Sequence, residues 1–228
     1  MFDSFKKKLS DFDQYRKNVN DFNRYQKNIV EFNDYSDNKK YLDQLTEYLN
    51  NKVLLPSLHI VKQNNIHYYR KQYNLESLVE TGTYLGDMVE AQKEYFKNIY
   101  SVELSEELHN AAKKRFKDDL NVEIVLGDSA IVLQEILVKL NTPALFWLDG
   151  HYSSGITAKG DKNTPILEEL SLVLTHNSSH VILIDDARLF NGQEDYPNMI
   201  ELCKFIDSTS PSKKAVVVAD DIIRITNA

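Results

Sequence analysis

The sequence predicts an α/β chain: a doubly wound, mainly parallel seven-stranded sheet that ends in an antiparallel hairpin and is preceded by an N-terminal helical arm. Short β-rich runs at 78–80, 99–103, 122–126, 144–148, 181–184, 215–219 and 222–225 alternate with helical stretches at 87–96, 105–116, 130–140, 164–174 and 198–206. That alternation is the pattern of a parallel sheet covered on both faces by its crossover helices. The last two runs are separated only by Asp220 and Asp221, too few residues for a parallel crossover, so they are expected to pair as a hairpin. The residues before 75 show helical spacings alone.

The first forty residues repeat with a period of ten. Phe2, Phe12, Phe22 and Phe32 recur, each followed three residues later by Phe5, Tyr15, Tyr25 or Tyr35, and Leu9, Val19 and Ile29 fill a third register. Ten residues make fewer than three turns at about 3.6 per turn, so the aromatic stripe slides around the helix instead of forming one straight face. Segment 1–40 is therefore expected to be a helical arm that joins copies into a homo-oligomer or packs on the following domain, with an expanded repeat as the alternative. Segment 41–74 continues helical, with Leu42, Leu45 and Leu49 before Pro56 and Ile60, Ile66 and Tyr69 after it, and is expected to form a helical cap. Segment 75–228 is the α/β domain.

With 42% hydrophobic and 27% charged residues, 228 residues suffice for one sizeable core plus an appendage. The net charge of −7 argues against broad attraction to nucleic acid, whose phosphates are bound by Lys and Arg. No apolar run is long enough for a membrane span, and the N-terminus lacks a signal peptide's apolar stretch, so a cytoplasmic location is expected. Cys203 stands alone, which excludes an intrachain disulfide, and is expected to pack in the core.

The first strand runs into Glu80-Thr81-Gly82-Thr83-Tyr84-Leu85-Gly86-Asp87. Glycines here let backbone pass close to a ligand. A dinucleotide fingerprint would need glycines where Tyr84 and Asp87 stand, and Asp87 offsets the positive helix end that a pyrophosphate would use. The turn thus suits S-adenosylmethionine, which carries an ammonium and a sulfonium but no phosphate. Glu80, and with it Asp87, supplies the opposite charge. Twenty-one residues after Gly82, the second strand ends at Glu103-Leu104, where a carboxylate can accept from both ribose hydroxyls. The third ends in Gly127-Asp128-Ser129, with Asp128 on the adenine side.

These motifs together resemble the core of class I S-adenosylmethionine-dependent methyltransferases, over residues 78–190, with Glu80-x-Gly82-x-x-x-Gly86 as first motif, Glu103 as ribose acid and Asp128 as adenine-side acid. The resemblance implies a Rossmann-like methyltransferase sheet and a cofactor site made by Glu80, Thr81, Gly82, Thr83, Gly86, Glu103, Leu104, Gly127, Asp128, Ser129 and Asp149.

Two further strands end in acids, Leu148-Asp149-Gly150-His151 and Ile184-Asp185-Asp186, and in a doubly wound sheet these ends converge on one crevice. Three carboxylates and an imidazole in one volume call for a positive charge, and oxygen ligands favour Mg2+ or Mn2+. The layout is similar to the metal-dependent macrocin-type sugar O-methyltransferases, which implies Asp149 as base and Asp185 and Asp186 as metal ligands. His151 stands where that family has a third ligand Asp, which leaves both the metal's identity and the need for it open. One of the paired acids could instead cap the next helix or pair with Arg188. Tyr152 and Lys159 lie in the polar loop behind His151 and are candidate acceptor contacts. His59, His67, His109, His176 and His180 form no metal-ligand spacing. The expected function is O-methylation of a sugar or small-molecule hydroxyl; the rivals are an N-methyltransferase, a metal-independent relative, or a non-catalytic assembly protein with a residual cofactor site.

Overall fold

A computed structural model of the chain describes residues 56–150 and 164–228. The ten-residue repeat, the first part of the expected helical cap, His151, Tyr152 and Lys159 lie outside them. The chain divides into two compact units, Met1–Val61 and Lys62–Ala228. The second carries the whole sheet, and the helix that leads into it begins at His59, just before the boundary. Among the described residues no helix is long and apolar enough to cross a membrane.

Helix α1 (His59–Gln72) leads into strand β1 (Ser77–Thr81). The chain then alternates through α2 (Asp87–Gln92), β2 (Asn98–Glu103), α3 (Glu106–Arg115), β3 (Val122–Leu126), α4 (Ser129–Lys139), β4 (Leu145–Leu148), α5 (Ile166–Thr175) and β5 (Val181–Ile184). A short 3-10 turn (Ala187–Leu189) precedes α6 (Met199–Thr209), β6 (Lys214–Ala219) and β7 (Ile222–Asn227). The seven strands lie in the order β3-β2-β1-β4-β5-β7-β6. The first five pair in parallel; β7 runs antiparallel to β6, as the two-residue Asp220-Asp221 turn requires, and also to β5. Every strand and helix expected after residue 75 is present. The largest difference in length is α2, which stops at Gln92 instead of continuing to 96, because Tyr95 N–H turns back to the Gln92 carbonyl three residues earlier.

The central strands are apolar on both faces, and the side chains of β4 show why. Leu145 and Trp147 join Leu78, Leu183 and Ile99 in one core with Ile66 of α1, Met88 and Val89 of α2 and Ala112 of α3. Phe146 and Leu148 point the other way, into a second core with Leu133 and Leu137 of α4, Leu170 and Val173 of α5 and Leu202 and Ile206 of α6. Full burial of a side chain the size of Phe146 stabilises the fold by about 3 kcal/mol. Helix starts follow local chemistry. Asn198 accepts from Ile200 and Glu201 N–H while the Glu201 carboxylate accepts from Asn198 N–H, a reciprocal cap that starts α6 at its expected place. Cys203 on the same helix is half-buried.

At the end of the sheet away from the acidic strand ends, His180 accepts from Ala144 N–H through Nδ1 (3.0 Å) and stacks on His176. Burial, then the neighbouring His176 and Lys214, lower the His180 pKa from 6.5 to about 4. The unfolded chain therefore binds this proton first, so the stabilisation is complete above pH 6.5 and is lost as pH falls from there through 4. Denaturant unfolding from pH 7 to pH 4.5 is expected to show a loss of about 2–3 kcal/mol from this group. His180→Asn, which keeps an acceptor near the Nδ1 position, should flatten the profile; an unchanged slope would contradict the assignment.

Candidate cofactor and reaction site

The sheet order reverses between β2-β1 and β4-β5, so the crevice of the fold opens at the C-terminal ends of β1 and β4. The strand ends are tied together one residue past the regular pairing. Asp149 N–H donates to Thr81 O, Asp185 N–H to Leu148 O and Gly127 N–H to Glu103 O, while Gly82 and Thr83 N–H both donate to Val102 O. Gly82 sits at φ +88°, and a Cβ there would lie 2.5 Å from the Asp149 carbonyl oxygen. The glycine is required because the β1 and β4 loops touch backbone to backbone. Gly86, also at positive φ, faces the Phe116 ring and serves the packing of the loop on α3.

Glu103 is 5% exposed, and both its carboxylate oxygens are fixed. Oε2 accepts from Tyr84 N–H and Oε1 from Ser105 N–H, each at 2.8 Å. Each oxygen keeps a further lone pair, so the group is held rigid and can still accept two hydroxyls. The adjoining Tyr84 and Leu104 are 46% and 39% exposed, a pair of large apolar side chains open beside this acid. Asp128 caps α4 by accepting from Ala130 N–H, and Ser129 is buried in the first turn. A rigid diol acceptor beside exposed apolar surface suits a nucleoside. Asp87 opens α2 as expected, but its carboxylate accepts from Arg115 at 2.9 Å.

Glu80 is fully enclosed. Its Oε2 accepts from Ser101 Oγ at 2.5 Å, and Ser101 in turn meets Thr83 Oγ1 at 2.6 Å. Burial, reinforced by Asp149 and Glu103 and opposed by the Ser101 hydroxyl, raises the Glu80 pKa to about 8. A second enclosed acid, Glu169 on α5, lies under the Asp149-Gly150 turn. A Cβ on Gly150 would meet Thr81 Oγ1 at 3.1 Å and Glu169 Oε1 at 3.2 Å. Burial raises this pKa to about 7, against the Ser129 and Thr81 hydroxyls.

The C-terminal ends of β4 and β5 bring Asp149, Asp185 and Asp186 together, with carboxylate oxygens within 4.8 Å of one another. Asp186, at φ +57°, donates its N–H to Asp185 Oδ1 at 2.8 Å. Among the described residues, two cations stand beside these acids. Lys62 of α1 donates to Asp185 Oδ2 and lies 3.9 Å from Asp186 Oδ1. Arg188 donates to Asp186 Oδ1 at 2.6 Å and to Asp221 Oδ2 in the hairpin turn. Burial works against the Lys62 ammonium, but the attraction of Asp185, Asp149 and Asp186 prevails and raises its pKa. Burial and Asp149 push Asp185 above the ordinary carboxylate range, with Lys62 pulling the other way. The three carboxylates are of the right chemistry for a hard divalent cation. Asp185 Oδ2 and Asp186 Oδ1 are, however, already bound by cationic side chains, which would compete with such an ion. Tyr196 stacks edge-on against Phe190 at 5.2 Å; burial, with Asp186 and Asp149 adding to it, raises its phenol pKa.

Lys62, Ser101, Glu169 and Tyr196 are absent from the residues expected from sequence. Two of them carried a signal. Glu169 falls with Ile166, Leu170 and Val173 at i, i+3, i+4 and i+7 of an apolar face, and Lys62 shares a face with Asn65, Ile66 and Tyr69 in the same spacing.

No family model matches the sequence, and no curated protein matches it either. Solved structures do match. An O-methyltransferase from Bacillus cereus in complex with S-adenosylhomocysteine superposes with TM-score 0.54 at 14% identity, covering 81% of this chain and 88% of that one. The fold is the Rossmann-like methyltransferase fold. TomG, an O-methyltransferase of Streptomyces achromogenes involved in tomaymycin synthesis and crystallised with S-adenosylmethionine, matches with TM-score 0.52 at 14% identity over 79% of this chain and 85% of its own. The S-adenosylhomocysteine-bound methyltransferase PaMTH1 of Podospora anserina matches with TM-score 0.50 at 17% identity over 73% and 78%. This methyltransferase fold accounts for the sheet order and for the hairpin beside β5.

Proposed function

We propose that the chain is an S-adenosylmethionine-dependent methyltransferase that methylates a hydroxyl of a sugar or other small molecule. The observation that carries the reading is Glu103, clamped by two backbone amides at the end of β2, one strand away from the place where the Gly82 and Asp149 loops touch. Glu103 would hold the ribose, with Tyr84 and Leu104 against the adenine and Asp128 near its amino group. Glu80, Gly82 and Thr83 would face the amino-acid end. S-adenosylmethionine supplies an electrophilic methyl group on a sulfonium, whose carbon–sulfur electron pair leaves with the thioether. Asp149 would accept the acceptor hydroxyl's proton as the new carbon–oxygen bond forms. The Thr81 carbonyl that accepts from Asp149 N–H ties down the turn that would aim this carboxylate. The O-methyltransferases among the structural neighbours support oxygen as the target.

Asp149→Asn keeps the shape of the turn and removes the base. Transfer of labelled methyl from S-adenosylmethionine to a panel of hydroxylated sugars and phenols is expected to fall by about 100-fold or more, while S-adenosylhomocysteine affinity changes little. Turnover that survives the substitution would remove Asp149 from the role of base.

A further inference from the structure

The macrocin-type resemblance calls for a divalent cation among the paired strand-end acids, yet a side chain of this chain already stands there. Lys62 reaches the cluster from α1, a helix that precedes the whole sheet, and its side chain is 15% exposed. Its ammonium pairs with Asp185, whose own side chain is 1% exposed, and lies 3.9 Å from Asp186 Oδ1. Arg188 binds the same Asp186 oxygen and continues to Asp221. A divalent cation bound through Asp185 would sit within a few ångströms of the Lys62 ammonium. It would have to displace a buried ion pair and then remain beside the charge it displaced.

We infer that Lys62 is a resident cation of the Asp149, Asp185 and Asp186 cluster, standing in at Asp185 for a divalent metal and positioning Asp185 and the base Asp149 beside it. Its catalytic meaning rests on the methyl-transfer reading; its occupation of the cluster does not. A tethered ammonium offers donors without open coordination positions. The acceptor hydroxyl is therefore oriented by hydrogen bonds and not by ligation, and the chain belongs with metal-independent chemistry at this site.

The test is calorimetric titration of the full-length chain with MnCl2 alone. The wild type is expected to show no saturable binding at the cluster, and Lys62→Arg should behave like it, since the positive charge is kept. Lys62→Met removes the charge at similar volume and is expected to gain saturable binding of one Mn2+, a gain abolished by adding Asp185→Asn. A general structural role for Lys62 would not create such a site. Stoichiometric Mn2+ binding by the wild type that Asp185→Asn abolishes would overturn the inference, and that arm needs no Lys62 variant to fold. S-adenosylhomocysteine is titrated into the same wild-type sample: absence of that binding refutes the cofactor reading and leaves the Mn2+ result to be judged separately.

Discussion

Gly82→Ala is expected to be the most damaging single substitution in the cofactor loop. The added Cβ would lie 2.5 Å from the Asp149 carbonyl oxygen and 3.0 Å from its carbon, atoms of backbone that cannot rotate away. Moving either loop would break the Gly82–Val102 or Asp149–Thr81 hydrogen bonds, which continue the sheet into the site. The φ of +88° adds a conformational cost of about 1–2 kcal/mol for any L side chain. Together these predict a loss of about 3 kcal/mol or more in denaturant unfolding, with cofactor binding lost as the two loops part. Gly192→Ala isolates the conformational part. Gly192 has φ +85°, but the nearest atom to its Cβ position is 3.7 Å away, so about 1 kcal/mol is expected there. Equal losses at the two positions would show that the backbone contact at Gly82 contributes nothing.

Glu103→Ala carries the second large effect, and it falls on binding more than on folding. The substitution removes the acceptor for Tyr84 and Ser105 N–H and the two lone pairs assigned to the ribose. Hydrogen bonds to a charged acceptor contribute about 1.5–3 kcal/mol each, so losing two from a rigid site predicts a fall in S-adenosylhomocysteine affinity of about 100-fold or more. Glu103→Gln is instructive because its amide nitrogen must face one of two backbone donors, so it should recover only part of the loss. Affinity within two-fold of wild type for both variants, measured by calorimetry, would detach Glu103 from the cofactor.

The order of elements was readable because each strand is a short apolar run bounded by polar residues, and because a two-residue connection at Asp220-Asp221 leaves only an antiparallel option. The acids at the strand ends were equally visible, since Glu80, Glu103, Asp128, Asp149, Asp185 and Asp186 all stand at or just past the end of a strand. What those acids touch was not visible. Asp87 meets Arg115, and Asp186 meets Arg188, a pairing that the sequence offers only as an alternative to a metal-ligand role. Lys62 lies 123 residues from Asp185, and nothing local to either residue announces the other. The helical face it shares with Ile66 marked it only as a charge on a buried side. Glu169 was not singled out within the helical stretch 164–174, although its spacing placed it among the apolar positions. Long-range pairing of buried charges is a property of topology, and a sequence read one element at a time does not contain it.

The most direct test of the central claim is calorimetric titration of the purified full-length chain with S-adenosylhomocysteine, with NADH as a control. Saturable one-to-one binding of S-adenosylhomocysteine in the micromolar range, with none of NADH, is the predicted result. A wild-type chain that unfolds cooperatively but takes up no S-adenosylhomocysteine would contradict it, and the strand-end acids would then need another ligand.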